Sequence, residues 1–376
     1  MENPDEKISQ TNNDVKCKDC GAHLKFAPGT SHLKCEYCGA ENVIETSKDP
    51  VKVEEIDFEK FIAANVEAAD TQEVNTVNCK SCGATTTLKP NVTADHCPFC
   101  DTPLVVEKGS TTKIIKPKYV LPFKIEQKSA FDNFKNWVNA LWFAPNDLKA
   151  YAYNADKLNG MYLPYWTYDS NTTSSYTGLR GTYYYVTETY TTTENGRSVT
   201  RTRQVQKTSW TPAWGKVRNA FDDVLVLASN SLPEKYTREL EPWDLQNIAA
   251  FNEKYLSGFR TECYQVDVKT GFEKAKPIMA ETIRETVRRD IGGDTQQIET
   301  LNTSYNDITF KHILLPIWLS AYRYNEKVYR FMVNGRTGEV QGERPYSAIK
   351  IALLVIAILI ALTAIAYFYF QSQQGK

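Results

Sequence analysis

The pattern of apolar and polar positions ends in an uninterrupted apolar run near the C-terminus. Residues 351–370 read IALLVIAILIALTAIAYFYF, with no charge and with Thr363 as the one hydroxyl residue before the terminal tyrosines. Twenty helical residues rise about 30 Å, which is the thickness of the hydrocarbon layer of a bilayer. A buried core helix of this length normally carries a polar stripe, and this run has none. The pattern therefore predicts a transmembrane helix.

The stretch 115–347 carries two segments whose apolar residues recur at helical spacing. The first is expected to begin at a Ser129 cap and to stop near Pro145. The second is expected to begin with Pro277 at the first helical position and to end at Gly292, which a second glycine follows. Strand-type segments surround both helices. The whole stretch predicts an α+β domain with antiparallel strands.

The strand segments include one strong hairpin signal. Gly181–Trp210 is rich in Thr and Tyr, which favour strands, and Asn195-Gly196 is a typical two-residue hairpin turn. A weaker signal is the internal sequence similarity between Leu163–Trp166 (LPYW) and Leu315–Trp318 (LPIW), each of which follows a helical segment. Either the domain duplicates one helix-plus-strand unit or the similarity is coincidental, and the sequence leaves both open.

The nine cysteines are strongly grouped, since eight of them form two sets with the spacing C-x2-C-x14-C-x2-C. Two-residue spacers let one tight turn aim two thiolates at one ion, and two such turns complete a tetrahedral shell. A closed four-sulfur shell favours structural zinc over catalytic zinc, with disulfides or a redox pair as the minor alternative. The candidate ligands of two structural Zn²⁺ ions are Cys17, Cys20, Cys35 and Cys38, and Cys79, Cys82, Cys97 and Cys100.

These signals divide the chain into segments and predict a multidomain fold. A short amphipathic helix is expected after an Asp57 cap, packed on a ribbon or, alternatively, bound to a partner. Cysteine segments this short depend on metal for their stability. The expected boundaries are 1–14 (disordered N-terminus), 15–45 (first zinc ribbon), 46–76 (linker with the helix), 77–106 (second zinc ribbon), 115–347 (α+β domain of one unit or two), 349–370 (transmembrane helix) and 371–376 (tail).

The other residues offer no catalytic constellation. The net charge is −1 over 376 residues, which gives no general attraction to nucleic acid. The motifs G-x-x-x-x-G-K-[ST], G-x-S-x-G and H-E-x-x-H are absent from the sequence. Cys263 and His312 lie in or beside apolar strand patterns and are interpreted as a buried thiol and a hydrogen-bonded structural histidine. Three histidines near the cysteines are interpreted as loop residues outside the metal shells: His23, His32 and His96.

Three motifs resemble a widespread bacterial family: FKHILLPIWLSAYRYNEKVYRFMVNGRTGEVQGERPYS (Phe310–Ser347), YLPYWTYD (Tyr162–Asp169) and RRDIGGD (Arg288–Asp294). The resemblance extends over nearly the whole chain. They are similar to transcription-factor-IIB-type zinc-ribbon membrane proteins, some of which carry the name of the primosomal N′ replication helicase. Other similar proteins look associated with phage-shock-type envelope stress systems and stomatin-like membrane proteins. The resemblance implies membrane-linked scaffolding more than replication, and it supplies no catalytic residues.

Function and location are expectations drawn from these parts together. The polar N-terminus is not a secretory signal, so we expect a single-pass protein of the cell membrane with its N-terminal bulk in the reducing cytoplasm. We expect a non-enzymatic zinc-ribbon adaptor that binds the membrane and protein partners, without a small-molecule substrate. The alternative is a membrane-tethered nucleic-acid-binding protein, less favoured because acidic residues offset the lysines of the first ribbon. An enzyme acting on a lipid or peptide through the middle domain is the third class.

Overall fold

The computed structural model describes most of the chain: residues 15–45, 54–64, 71–87, 94–100, 102–105, 110–146, 148, 158–194, 196–324 and 327–374. The predicted disordered segment 1–14, much of the linker, and Asn195 of the predicted turn lie outside the described residues.

Strands dominate the described residues and form four sheets. The helices are α1 (Phe58–Ala63), α2 (Gln127–Ala140), α3 (Glu234–Arg238), α4 (Val268–Ile291) and α5 (Ala348–Gln374). The strands are β1 (Leu24–Phe26), β2 (His32–Cys35), β3 (Glu41–Val43), β4 (Ile56–Asp57), β5 (Thr71–Asn78), β6 (Thr85–Thr87), β7 (Ala94–His96), β8 (Pro103–Val105), β9 (Ser110–Ile115), β10 (Tyr119–Val120), β11 (Asn159–Glu194), β12 (Arg197–Leu227), β13 (Ala249–Ala250), β14 (Arg260–Thr261), β15 (Thr295–Tyr324), β16 (Lys327–Asn334) and β17 (Val340–Gly342).

Three long antiparallel strands, β12, β11 and β15 in that order, make the main sheet. The β11–β12 register reaches Glu194↔Arg197 at the predicted turn, whereas β15 pairs with β11 only as far as Gly181↔Thr295. The predicted hairpin is confirmed, but its strands are much longer than expected, at 36 and 31 residues. Runs of Thr, Tyr and Val, which suit a pleated and half-buried surface, continue on both sides of the predicted segment.

Short strands complete the main sheet beside β15. β10 and β13 extend the order to β12-β11-β15-β10-β13, and β4, β16 and β17 join through β15. The pairs β10–β15 and β11–β14 are parallel, so the sheet is mixed although its long strands are antiparallel. The two LP motifs lie side by side, with Leu163 opposite Leu315 in the centre of the sheet.

Helix α4 covers one face of the long strands. The Asp267 carboxylate caps it by accepting a 2.9 Å bond from the Thr270 N–H, and Gly292 ends it with a φ of 65°. The expected start at Pro277 is wrong, because this proline lies inside the helix. The apolar face continues on both sides of Pro277, where Phe272 and Ile283 are buried against the sheet, and this burial maintains the helix through the proline.

The other two predicted helices are present, and the start of one of them differs from the prediction. In α1 the Asp57 carboxylate accepts a 2.9 Å bond from the Lys60 N–H, as the cap prediction requires. Helix α2 begins at Gln127 after Glu126, so Ser129 lies within the first turn rather than at the cap.

The first ribbon packs directly on the main sheet. The Phe26 N–H donates to the Ser257 carbonyl over 3.0 Å, and the Gly29 N–H donates to the Phe123 carbonyl over 2.9 Å. The Phe26 ring also meets Tyr255 edge-on, at 5.2 Å between centroids. Buried residues of the ribbon and of α2 therefore belong to one continuous hydrophobic core.

The second ribbon joins a different part of the same sheet. The Cys263 N–H donates to the Thr85 carbonyl over 3.1 Å, and the Arg330 Nε donates to the Phe99 carbonyl over 2.7 Å. Phe99 is fully buried in a core shared with β11 and β15. Neither ribbon is suspended on a free linker in the described structure.

Helix α5 leaves this body with its apolar side chains uncovered. It is long and apolar enough to cross a membrane, and no other helix of the described residues is. The large apolar side chains from Ile351 to Phe370 are exposed all around it. At its base the Ser347 N–H donates to the Phe143 carbonyl and the Lys350 ammonium to the Ala144 carbonyl, each over 2.8 Å.

Candidate metal centres and buried polar clusters

The eight predicted ligands come together as two groups of four, and within each group the four sulfurs lie within 4.8 Å of one another. A tetrahedron with metal–sulfur bonds of about 2.3 Å has edges of about 3.8 Å, whereas a disulfide would bring two sulfurs to about 2.05 Å. Both groups therefore have the geometry of a four-sulfur metal site. The sulfur–sulfur distances are 3.6 Å for Cys17–Cys38, 3.5 Å for Cys20–Cys35, and 3.6 Å for both Cys79–Cys100 and Cys82–Cys97.

Glycine-containing turns hold the cysteines in place. At three of the four Cys-x-x-Cys pairs the glycine after the second cysteine has a φ of 75° to 77°, a left-handed conformation that strains other residues. This turn returns the glycine N–H to the carbonyl of the first cysteine over 2.8–2.9 Å, and both sulfurs then point to one centre. The bonds run from Gly21 to Cys17, from Gly39 to Cys35 and from Gly83 to Cys79.

One thiol in each centre is predisposed to ionise. The Cys38 backbone N–H bonds to the Cys35 sulfur and lowers the pKa of Cys35 to about 7. Burial opposes ionisation of Cys100, but hydrogen bonds with the hydroxyl and backbone of Thr102, together with those of Cys82 and Cys79, outweigh it and lower the pKa of Cys100 to about 7. Metal ligation requires thiolates, so these two cysteines are suited to the first deprotonation.

The donor set of each group consists of sulfur alone. No histidine nitrogen belongs to either group where the structure describes the chain, and the His32 ring instead faces Glu41 at 3.4 Å. Four thiolates fit a soft or borderline ion in tetrahedral coordination. Such a shell has no open position for substrate, so the geometry suits a structural role.

Apart from the two cysteine groups, a cluster of charged side chains surrounds the buried Lys311. The sequence did not reveal this cluster. The Lys311 side chain is 5% exposed, and its Nζ lies 2.6 Å from Asp223, 3.2 Å from Glu55 and 4.0 Å from Asp169. Burial raises the pKa of Asp169 to about 6, and a hydrogen bond with Glu55 adds to this. Through Glu55, the cluster ties the linker just before β4 to the long strands. Its members lie up to 256 residues apart in sequence, so no local motif could have identified it.

Another buried polar cluster, around Glu262, lies where the second ribbon meets the sheet. Glu262 is 1% exposed and accepts a hydrogen bond from the Ser231 hydroxyl. Burial raises the pKa of Glu262 to about 8, although bonds from Ser231 and Ser229 oppose the shift. Beside it, the Gln265 amide donates to the Gly83 carbonyl of the ribbon over 3.3 Å. Glu262 is therefore a mostly neutral acid at neutral pH.

We expect Glu262→Gln to raise stability at slightly alkaline pH and to flatten its pH dependence. The pKa of Glu262 is higher in the folded chain than its ordinary 4.5, so its contribution is full below pH 4.5 and is lost as pH rises towards 8. Each pKa unit is worth about 1.4 kcal/mol, so the gain at pH 8 should exceed roughly 2 kcal/mol. Thermal melts at pH 5 and pH 8 test this, with the exposed Glu299→Gln as control; an equal gain at both pH values would contradict it.

The thiol of Cys263 and the imidazole of His312, the two reactive side-chain types outside these clusters, are both buried. Cys263 is 3% exposed, and burial raises its thiol pKa to about 12, which leaves little thiolate. His312 is fully enclosed, its Nδ1 lies 2.9 Å from the Ile115 carbonyl, and burial lowers its pKa to about 4. Both interpretations made from the sequence are confirmed.

Comparison with known proteins gives a match over part of the chain. No protein-family model matches the chain, and no solved structure matches it. The chain is 25% identical over 239 residues to the uncharacterized protein YdjG of Bacillus subtilis strain 168, covering 63% of this chain and 66% of that protein. The match thus spans just under two thirds of that protein's length. Its name assigns no activity that could be carried over.

Proposed function

We propose that the protein is a non-enzymatic adaptor, held at the cytoplasmic face of the cell membrane by α5 and stiffened by two structural zinc ions. The observation that carries the proposal is the uncovered apolar surface of α5 between Ile351 and Phe370. Exposure of this apolar surface to water would cost free energy, whereas in a bilayer the surface contacts hydrocarbon. The Tyr367–Phe370 aromatic cluster suits the membrane interface.

Zinc is the ion that we propose for the two cysteine centres. Four thiolates in a tetrahedral arrangement are typical of structural zinc, and such a site stabilises a segment too small for its own core. The resemblance to bacterial zinc-ribbon membrane proteins, some linked to envelope stress, agrees with scaffolding. Protein partners are proposed because the chain combines an anchor with broad exposed strand surface.

Truncation before α5 tests the anchor. The full chain should stay in the membrane fraction through high-salt and alkaline washes, and a chain ending at Ser347 should be soluble and folded. Charged substitutions within the helix, Leu354→Lys with Leu359→Lys, should weaken membrane retention, while Lys269→Leu on the surface of α4 should leave it unchanged. If the truncated chain aggregates because its core is exposed, α5 belongs to the fold and the proposal fails.

The alternative, a membrane-tethered nucleic-acid-binding protein, is favoured by one observation. Strand β12 carries six basic and no acidic residues before Asp222: Arg197, Arg201, Arg203, Lys207, Lys216 and Arg218. Binding through such a row would weaken by roughly 0.9 log unit per phosphate contacted for each tenfold rise in salt. Submicromolar, strongly salt-dependent DNA binding by the full chain would promote this alternative over the adaptor.

A further inference from the structure

The β11–β12 hairpin continues past the main sheet as a free arm, Thr182–Ser209. The last pair between β11 and β15 is Gly181↔Thr295, and none of the arm's described side chains is buried. A two-stranded hairpin without a packed face is at best marginally stable in water. A surface that packs against the arm would therefore stabilise it.

One face of the arm carries the charge. Residues paired across an antiparallel hairpin project to the same face, and alternate residues project to opposite faces. The pairs Tyr190↔Arg201, Glu188↔Arg203 and Tyr184↔Lys207 thus share a face. The Glu188 carboxylate lies 3.2 Å from Arg203 and 3.3 Å from Lys207, which confirms that these groups are neighbours. We call this the charged face.

The opposite face has no charged side chain along the whole arm. We call it the uncharged face, and its members are Tyr183, Tyr185, Thr187, Thr189, Thr191, Thr193, Ser198, Thr200, Thr202, Gln204, Gln206 and Thr208. The Tyr185 hydroxyl reaches Gln206 across the strands at 3.5 Å, as this placement requires. The charges of the arm are therefore confined to one face, and the uncharged face can pack against another surface without burying a charge.

An aromatic strip continues the uncharged face towards the sheet. Trp210 and Trp214 follow on the same side of β12, and the Trp210 ring lies across Gly181. Trp214 is 75% exposed and Tyr185 64% exposed. Exposed aromatics with few charges are the composition of the centre of a protein–protein interface. Nucleic-acid surfaces instead place aromatics and cations together, whereas no cation lies beside Tyr183 or Tyr185 on the uncharged face of the arm.

We propose that the uncharged face of the arm packs against the same face of a second copy of this chain. The inference rests on the proposed anchor, because copies anchored in one membrane share one orientation relative to it. In the proposed pairing the two arms lie parallel about a two-fold axis, which places equal residues opposite one another. An uncharged face does not repel its own copy. Thr, Ser and Gln side chains both donate and accept hydrogen bonds, so the face is complementary to itself.

The dimensions of the face agree with a dimer contact. From Trp214 to Ser198 the strip is roughly 50 Å long and about 10 Å wide, at 3.3 Å per residue and 4.8 Å between strands. This is on the order of 500 Å² of flat area per copy, or about 1,000 Å² in total, which reaches the lower limit for a specific interface.

A like charge placed on each face tests the proposal in the full chain in mild detergent. Tyr185→Glu sets two carboxylates against each other across the contact and should weaken dimerisation at least tenfold, as measured by light scattering over a dilution series. Tyr184→Glu, the next residue and on the charged face, should change it less than twofold. Mixing Tyr185→Glu with Tyr185→Lys chains should restore the dimer, which only a contact between equal positions predicts.

Other results would overturn the inference. A monomeric wild-type chain, or equal effects of the two glutamates, would exclude this face as the contact. A photoreactive benzophenone at position 185 that crosslinks in membranes to a protein of different mass would assign the face to another partner. Membrane fractionation of Tyr185→Glu separates the two proposals, since its retention depends on α5 alone.

Discussion

Loss of the metal from the first cysteine centre is expected to loosen more of the chain than the first ribbon itself. Leu24, Phe26 and Leu33 of this ribbon are buried in the same core as Phe123 and Phe134 of the main body. Zinc contributes about 10–16 kcal/mol to the folding of isolated zinc-finger peptides, so losing one ligand should cost several kcal/mol here. We therefore expect Cys35→Ser to lower the melting temperature and to expose this shared core.

Amide hydrogen exchange can show which segments of the Cys35→Ser variant lose structure. Protection should fall in the first ribbon, in α2 and in the 253–259 segment that contacts Phe26, while the second ribbon and its separate core change less. Cys263→Ser is the matched control, because Cys263 is equally buried and belongs to neither centre. Metal analysis should give two zinc ions per wild-type chain. An effect of Cys35→Ser no larger than that of Cys263→Ser would contradict a metal role for the first centre.

Replacing Lys311 with methionine is expected to be the most damaging single change outside the cysteines. It leaves Glu55, Asp169 and Asp223 close together without their buried cation. Removing one partner of a buried ion pair costs about 3–5 kcal/mol, because the remaining charge stays desolvated. The penalty should be largest near pH 8 and smaller near pH 5. In the variant the folded-state carboxyl pKa values rise, so stability is recovered as the carboxylates protonate at low pH.

A matched surface pair provides the control for this variant. Lys276 lies 2.6 Å from Glu273 on α4, in an exposed pair three residues apart, and such pairs are worth under about 1 kcal/mol. Lys276→Met should therefore have little effect on urea unfolding, and Lys311→Arg should retain most of the stability. Equal effects of Lys311→Met and Lys276→Met would mean that the buried cluster contributes no more than a surface pair.

The sequence predicted the parts of the fold that depend on local chemistry. The cysteine spacing located both metal-type centres to the residue, because the two-residue spacer and its glycine fix the turn by themselves. The Asn195-Gly196 turn located the hairpin, and the Asp57 cap located α1. The apolar run located α5, which the structure leaves uncovered. In each case a few adjacent residues carry the whole signal.

Features that depend on distant contacts were missed. The start of α4 was placed at Pro277, because proline is a strong local signal, whereas burial of Phe272 against the sheet extends the helix past it. The Lys311 cluster joins the linker to β15 and could not be read locally. The packing of both ribbons on the sheet was also not predicted, because the sequence pattern does not distinguish the face of a ribbon that packs on the sheet from the face that is exposed.

The long strands have a consequence for how the chain folds. β11 can pair with β12 as soon as the hairpin is synthesised, because the two strands are adjacent in sequence. The other edge of β11 can pair only after β15 has been synthesised. The first paired residue of β15, Thr295, lies more than a hundred residues after its partner Gly181 in β11. Until then β11 presents an open row of backbone donors and acceptors, which is a template for wrong pairing. Contacts at such separation form slowly, so we expect the pairing of β15 to limit folding and the nascent chain to be most vulnerable to aggregation just before that strand is made.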